Sequence, residues 1–294
     1  MEQTLQFVVT GLTTGSGYAL VGLGIALIVQ VTGVISFAQG EFVMLGGLVF
    51  ALLEENGVPA LPAALAALAA AGAGGAVLQR VVISRGGRAG GTDHSIMLTI
   101  GSAIVIEGLA LVFVGTDPHF ARPFSSGGAL HAGDVTVTRQ YLWVVAVTAV
   151  SLTAMWLFLT RTRTGWAMRA TAMDEEAARL VGISTRRISL TVFVLAAVLG
   201  AVGGVVLAPI QAPDAGIGIP LGLKGFAAAV IGGLDRPAGA VVGGLGLGVV
   251  ESVATGYLPG AFSGYANAIA FALLLLVLLV RPTGILPHRR AERV

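Results

Sequence analysis

The chain has 294 residues and a formal net charge of only +2; 55% of residues are apolar, 43 are glycine and just 11% are charged. Soluble domains carry about 25% charged residues, and the mean hydropathy here is +0.90. The composition weighs against a soluble enzyme, a disordered chain and a nucleic-acid-binding protein, and is that of a polytopic membrane protein.

In chain order, apolar segments near 5–30, 36–53, 60–83, 95–114, 141–160, 188–209, 238–256 and 264–281 are each about the length of a spanning helix. A shorter one, 222–233, ends in Gly232-Gly233 before Asp235-Arg236-Pro237 and is expected to be a short or broken span packed inside the protein. The runs are continuous rather than alternating, which excludes a β-barrel. The expected fold is all-α: a single membrane domain over 1–294 with about 8–9 transmembrane helices. The opening Met1-Glu2-Gln3 has no basic region, so the first apolar segment is expected to remain as a span.

Basic residues set the expected orientation. Segment 161–187 holds Arg161, Arg163, Arg169, Arg179, Arg186 and Arg187; Arg80 precedes the loop 84–94, and Arg85 and Arg88 lie in it; the tail holds Arg281, Arg289, Arg290 and Arg293. With Arg236 these make 14 of the 17 basic residues, and all are placed in the cytoplasm. Loop 115–140 is then external, the N-terminus outside and the C-terminus inside, which requires an odd number of crossings. Nine fit if 222–233 counts as one; eight fit the apolar lengths better but break the charge rule at one end. Gly11 with Gly15, Gly200 with Gly204, and the run Gly239, Gly243, Gly244 and Gly248 have the spacing of closely packed helices.

The charged segment 161–187 is the most informative stretch. From Gly165 to Val181 it is amphipathic, with Ala167, Met168, Thr171, Ala178 and Val181 able to share an apolar side. Asp174, Glu175 and Glu176 are expected to open a second helix that stops at Gly182. A docking helix for a cytosolic partner is the sharper reading; a solvated loop that orients the chain is the plainer one.

Polar groups inside the spans are the other candidates, because a charge at bilayer depth costs about 2.5–3.5 kcal/mol and usually faces an interior or a cavity. Glu41, near the start of the second span, suits helix capping or a pathway. Glu107 and Glu251 lie in outer halves of spans. Ser16, Tyr18, Gln30, Gln39 and Asn267 are uncharged candidates for a translocation surface, each also suited to a helix–helix hydrogen bond. There are no cysteines, and His94, His119, His131 and His288 have no metal-like companions. No Ser–His–acid arrangement suggests hydrolysis. No cofactor or metal is expected on this chain.

The pattern Arg161-Thr162, Gly165, Ala167-Met168-Arg169-Ala170, then Ala178, Leu180 and Gly182-Ile183 resembles the coupling loop of the branched-chain amino acid ABC permease family, LivH type. Collinear likenesses run through the chain. They include Gly11-Leu12-Thr13 to Leu20, Ile35-Ser36-Phe37-Ala38-Gln39-Gly40-Glu41, Gly115-Thr116-Asp117-Pro118, Ala228-Ala229-Val230 to Glu251, and Arg281-Pro282-Thr283-Gly284. Ser36 and Gln39 stand where the family commonly has Asn and His, and Trp166 where a basic residue is frequent.

The resemblance implies a permease subunit of a bacterial inner-membrane importer for branched-chain or related hydrophobic amino acids. Its implied partners are a second homologous permease, two cytosolic ATPase subunits, an extracytoplasmic substrate-binding protein and membrane lipid, with no nucleic acid. Arg163, Gly165, Ala167, Met168, Arg169, Asp174, Ala178, Leu180 and Gly182 would carry the ATPase coupling. The chain contains no G-x-x-x-x-G-K-[ST] phosphate loop, and Lys224, its only lysine, lacks a glycine-rich cradle; ATP and Mg would sit on the partner subunits. Rival readings are import of urea, amides or another small metabolite, an ion-driven secondary transporter using Glu107 or Glu251, and a structural subunit that does not line the pathway.

Overall fold

A computed structural model of the chain describes residues 2–125, 130–132, 135–257 and 266–280. In lipid every backbone polar group needs an internal partner, and the apolar runs satisfy this by forming helices. These are α1 (Glu2–Thr32), α2 (Gln39–Glu55), α3 (Ala60–Val77), α4 (Ser84–Phe113), α5 (Arg139–Arg161), α6 (Arg163–Met173), α7 (Glu175–Leu180), α8 (Thr185–Gln211), α9 (Gly218–Gly232), α10 (Pro237–Tyr257) and α11 (Ala266–Val280). The β structure among the described residues is one short antiparallel hairpin within 115–140, β1 (Leu130–Ala132) with β2 (Val135–Val137), in the register Leu130 opposite Val137. The helical class holds.

Each of the nine apolar segments read from the sequence coincides with a helix. Among the described residues, six helices are long and apolar enough to cross a membrane. The others are shorter: α2 has 17 residues and α9 and α11 have 15 each. Segment 222–233 belongs to an unbroken helix that starts earlier, at Gly218, and turns at Gly233 with φ of 105°, a conformation open to glycine. Residues 84–94, expected as a loop, are instead helical in the backbone. A π-helical turn over Leu78–Ile83 joins α3 to α4, so the backbone runs from one to the other without an extended linker. The basic tail residues Arg281, Arg289, Arg290 and Arg293 lie outside the described residues.

Helix α1 is the hub. Gly11 and Gly15 lie against the backbone of Gly244, Leu245, Gly248 and Val249, so α1 and α10 touch main chain to main chain, antiparallel. The same device joins α2 to α8, where Gly204 meets the Val43 carbonyl, and α9 to α10, where Gly232 meets Gly239. Where lipid supplies no hydrophobic drive between helices, such close approach supplies the dispersion contact that holds them. The core lies among α1, α2, α8, α9 and α10. Large apolar side chains on α4 and α5 face outward, among them Ile104, Val112, Phe113, Leu142, Val150 and Trp156. An apolar surface of this kind suits lipid or a partner protein.

Contacts between neighbours fix the sides. The end of α2, residues 119–122 and the α8–α9 link meet at one end. There the Arg122 N–H donates to Glu54 Oε2 at 2.8 Å, the Phe120 N–H to Glu55 Oε1 at 3.0 Å and the His119 N–H to the Pro213 carbonyl at 3.0 Å. At the other end lie the α1–α2 kink, held by Thr99 Oγ1 donating to the Ile35 carbonyl at 3.2 Å, and the helices α6 and α7.

Candidate functional site

Helices α6 and α7 form the first candidate surface. Thr162 is in extended conformation, and its Oγ1 accepts from the Gly165 N–H at 3.0 Å, capping α6. Gly165 packs on the Phe158 carbonyl and Leu159 of α5, with no room for a Cβ. The corner is tied twice more: Trp166 Nε1 donates to the Thr160 carbonyl at 2.8 Å, and the Arg169 guanidinium donates to the Leu159 carbonyl. Met168 and Thr171 point inward and are buried; Ala167 packs partly buried against the same core. Arg163 is exposed.

Helix α7 follows as its acidic start predicts. Asp174 Oδ1 accepts from the Ala177 N–H at 2.9 Å, Glu175 pairs with Arg179 one turn on, and Arg179 Nε donates to Thr185 Oγ1 at 3.1 Å. Gly182 has φ of 86°, and the Ile183 N–H returns to the Ala178 carbonyl at 3.0 Å, a left-handed stop that only glycine adopts cheaply. Ala178 is buried beneath it. Val181, expected on the apolar inner side with Ala178, is instead 76% exposed, because α7 ends before it and the chain turns. Trp166, Met173 and Leu180 are exposed at 63%, 86% and 88%. Four large apolar side chains are therefore exposed on the most charged segment of the chain.

The polar residues inside the helices form two clusters. In one, Lys224 Nζ donates to Glu251 Oε1 at 2.5 Å and to the Tyr18 hydroxyl at 3.1 Å, and it lies 5.4 Å from the Tyr18 ring centroid. This joins α9, α10 and α1 through two residues singled out by sequence, Tyr18 and Glu251, and one that was not, Lys224. The available signal was that Lys224 is the only lysine; its partners lie 27 and 206 residues away, beyond any local pattern.

The second cluster surrounds the start of α2. Gln39 Nε2 donates to the Ala196 carbonyl of α8 at 2.6 Å. Glu41 is fully buried, with its carboxylate against Gly218 of α9. Both Glu41 oxygens, Gln39 Oε1 and Ser36 Oγ are buried without a hydrogen-bond partner. Glu41 thus sits in the first turn of α2, where its charge suits the helix dipole, but it caps no backbone N–H. Ser16, buried, donates to the Leu12 carbonyl of its own helix at 2.7 Å. Glu107 is half-buried on α4. Asn267 lies on α11, and its side chain is outside the described residues. Among the described residues no three His, Cys, Asp or Glu gather as metal ligands.

Comparison with known proteins gives a consistent family. The family described as "Branched-chain amino acid transport system / permease component" matches residues 7–278. The high-affinity branched-chain amino acid transport system permease protein LivH of Salmonella typhimurium is 34% identical over 310 residues, covering 99% of this chain and 97% of the relative. The corresponding protein BraD of Pseudomonas aeruginosa is 33% identical over 304 residues, covering 99% and 98%. The solved structure of PsaBC from Streptococcus pneumoniae in complex with Fab aligns with a TM-score of 0.50 at 15% identity, over 94% of this chain and 92% of that one, a likeness of fold alone. A chain matched over nearly its whole length by this family, built of apolar helices that suit a membrane, is a multi-pass membrane protein and belongs to the branched-chain amino acid transport permease family.

Proposed function

We propose that the chain is the permease subunit of an ATP-driven importer that moves branched-chain or related hydrophobic amino acids across the bacterial cytoplasmic membrane. The observation that carries the reading is the α6–α7 surface. It is braced to α5 by Gly165, Trp166 and Arg169, yet it leaves Trp166, Met173, Leu180 and Val181 exposed. A rigid bracket with an uncovered apolar tip suits a docking helix that converts a partner's closure into rigid-body movement of spans. The partner would be an ATPase, two copies per complex, holding ATP and Mg, since this chain has no phosphate loop. A second homologous permease would complete the pathway, and an extracytoplasmic binding protein would deliver substrate. Arginines on and around α6 and α7 favour the cytoplasm for this surface, which puts the N-terminus outside and the C-terminus inside.

Purification of the tagged protein in mild detergent, with mass spectrometry of what accompanies it, tests the assembly. Two ATPases and a second permease are expected; a chain that purifies alone overturns the coupling role. Labelled leucine uptake tests the substrate. Uptake that stops on ATP depletion is expected, whereas uptake that survives depletion and stops with an uncoupler establishes an ion-driven carrier instead.

A further inference from the structure

We propose that Lys224, Glu251 and Tyr18 recognise the charged head group of a zwitterionic α-amino acid, Glu251 taking its ammonium and Lys224 with the Tyr18 hydroxyl taking its carboxylate. The proposal deepens the importer reading and rests on it. An ion pair inside a membrane protein is costly to bury, and a well-packed apolar pair often serves stability equally well. Packing here does not require it. Helix α9 already meets α1 through Gly225 against Val21 and Gly22, and α10 through Gly232 against Gly239. A pair that packing does not require, formed by the chain's only lysine, calls for another use.

The cluster is incomplete in a way that fits one ligand chemistry. Glu251 Oε2 is buried with no partner, so an acceptor is left for an ammonium. Lys224 directs two hydrogen bonds, to Tyr18 and Glu251, and an ammonium has three donors, so one remains for a carboxylate. The Lys224 and Glu251 side chains are 12% and 10% exposed: desolvated enough for charge to discriminate, yet not sealed. When a zwitterion exchanges partners with the pair, four charges alternate in sign and the total stays zero. No net charge is added at depth. Tyr18 also belongs to one apolar cluster with Leu221 and Leu247, a neighbourhood compatible with an aliphatic side chain. A neutral solute such as urea leaves the pair with nothing to exchange.

The test uses the complete importer in cells lacking other leucine uptake, with labelled leucine as probe. The paired variant Lys224→Met with Glu251→Gln removes both charges. The swapped variant Lys224→Glu with Glu251→Lys restores an ion pair of reversed polarity. Co-purification of the partner subunits reports assembly. Uptake should fall at least about tenfold in both, the equivalent of one lost charge-assisted hydrogen bond. Normal uptake in either assembled variant makes the pair a structural tie and overturns the proposal. If neither variant assembles, Tyr18→Phe decides: a several-fold fall is expected, and unchanged uptake overturns it. Wild-type complex that imports urea and not leucine overturns both the proposal and the importer reading on which it rests. Wild-type leucine uptake that the variants keep overturns the recognition role alone.

Discussion

Gly165 sits on the Phe158 carbonyl so closely that a β-carbon has no place between them. The contact sets the angle at which α6 leaves α5, and with it the direction in which the exposed side chains of the proposed coupling surface point. Gly165→Leu must open this corner, an overpacking that costs about 1–3 kcal/mol. The span itself does not depend on the corner. The protein is expected to insert normally, while co-purification with the ATPases and uptake are both lost. Wild-type uptake in Gly165→Leu removes the rigid-bracket explanation.

Leu180 makes the complementary prediction. It is 88% exposed and touches little in this chain, so replacing it leaves the subunit's own stability unchanged. Burial of such a side chain in an interface contributes about 1.5–3 kcal/mol. Leu180→Asp should therefore weaken ATPase binding by roughly 10–100-fold, read by titrating purified ATPase against detergent-solubilised permease. Equal affinity for wild type and variant places the docking contact elsewhere.

Glu41 predicts a gain. Its two oxygens are buried without partners beside Gly218, and an unmet buried polar group costs about 1–3 kcal/mol, more when charged. Glu41→Met keeps much of the shape and removes both unmet oxygens, so the unfolding midpoint in detergent should rise by a few degrees. Gly218→Ala should lower it, because the added methyl lands on the Glu41 carboxyl group. A fall in Glu41→Met shows that the carboxyl group has a partner in the assembled protein.

What the sequence makes legible follows from the range of the forces involved. Apolar length and the local caps of α6 and α7 are decided within a few residues, so the nine apolar helices among the described residues, Asp174 at the head of α7 and Gly182 at its end could all be read directly. The glycine spacing in α1 and α10 marked surfaces that do meet. Residues 84–94 misled because glycines and charges look like a loop, while the helical backbone continues from the π-helical turn straight through them. Val181 misled because helical periodicity was extended one residue past the point where α7 ends. Lys224 escaped notice as a site because its partners come from α1 and α10, and which helices touch is set by close packing across the whole fold. The unpartnered oxygens of Ser36, Gln39 and Glu41 were equally unreadable, since satisfaction of a polar group depends on its three-dimensional neighbours.

The Glu55–His119 pair gives a pH prediction at the end of the bundle opposite α6 and α7. Glu55 lies past the apolar part of α2, and its carboxylate takes a 2.8 Å hydrogen bond from His119 Nδ1 and another from the Phe120 N–H. The His119 hydrogen bond is the main cause that holds the Glu55 carboxyl below its ordinary value. A carboxylate depressed on folding stabilises the folded arrangement above its unfolded pKa of about 4.3, and the contribution disappears as pH falls through the lower folded value. Segment 119–122 should therefore stay docked on α2 at neutral pH and loosen only below about pH 4. Hydrogen exchange of the Phe120 and Arg122 amides against pH measures this directly. In Glu55→Gln the Phe120 amide should exchange faster at neutral pH, and its acid dependence should vanish. Unchanged protection in that variant assigns the docking to Glu54 and Pro213 alone.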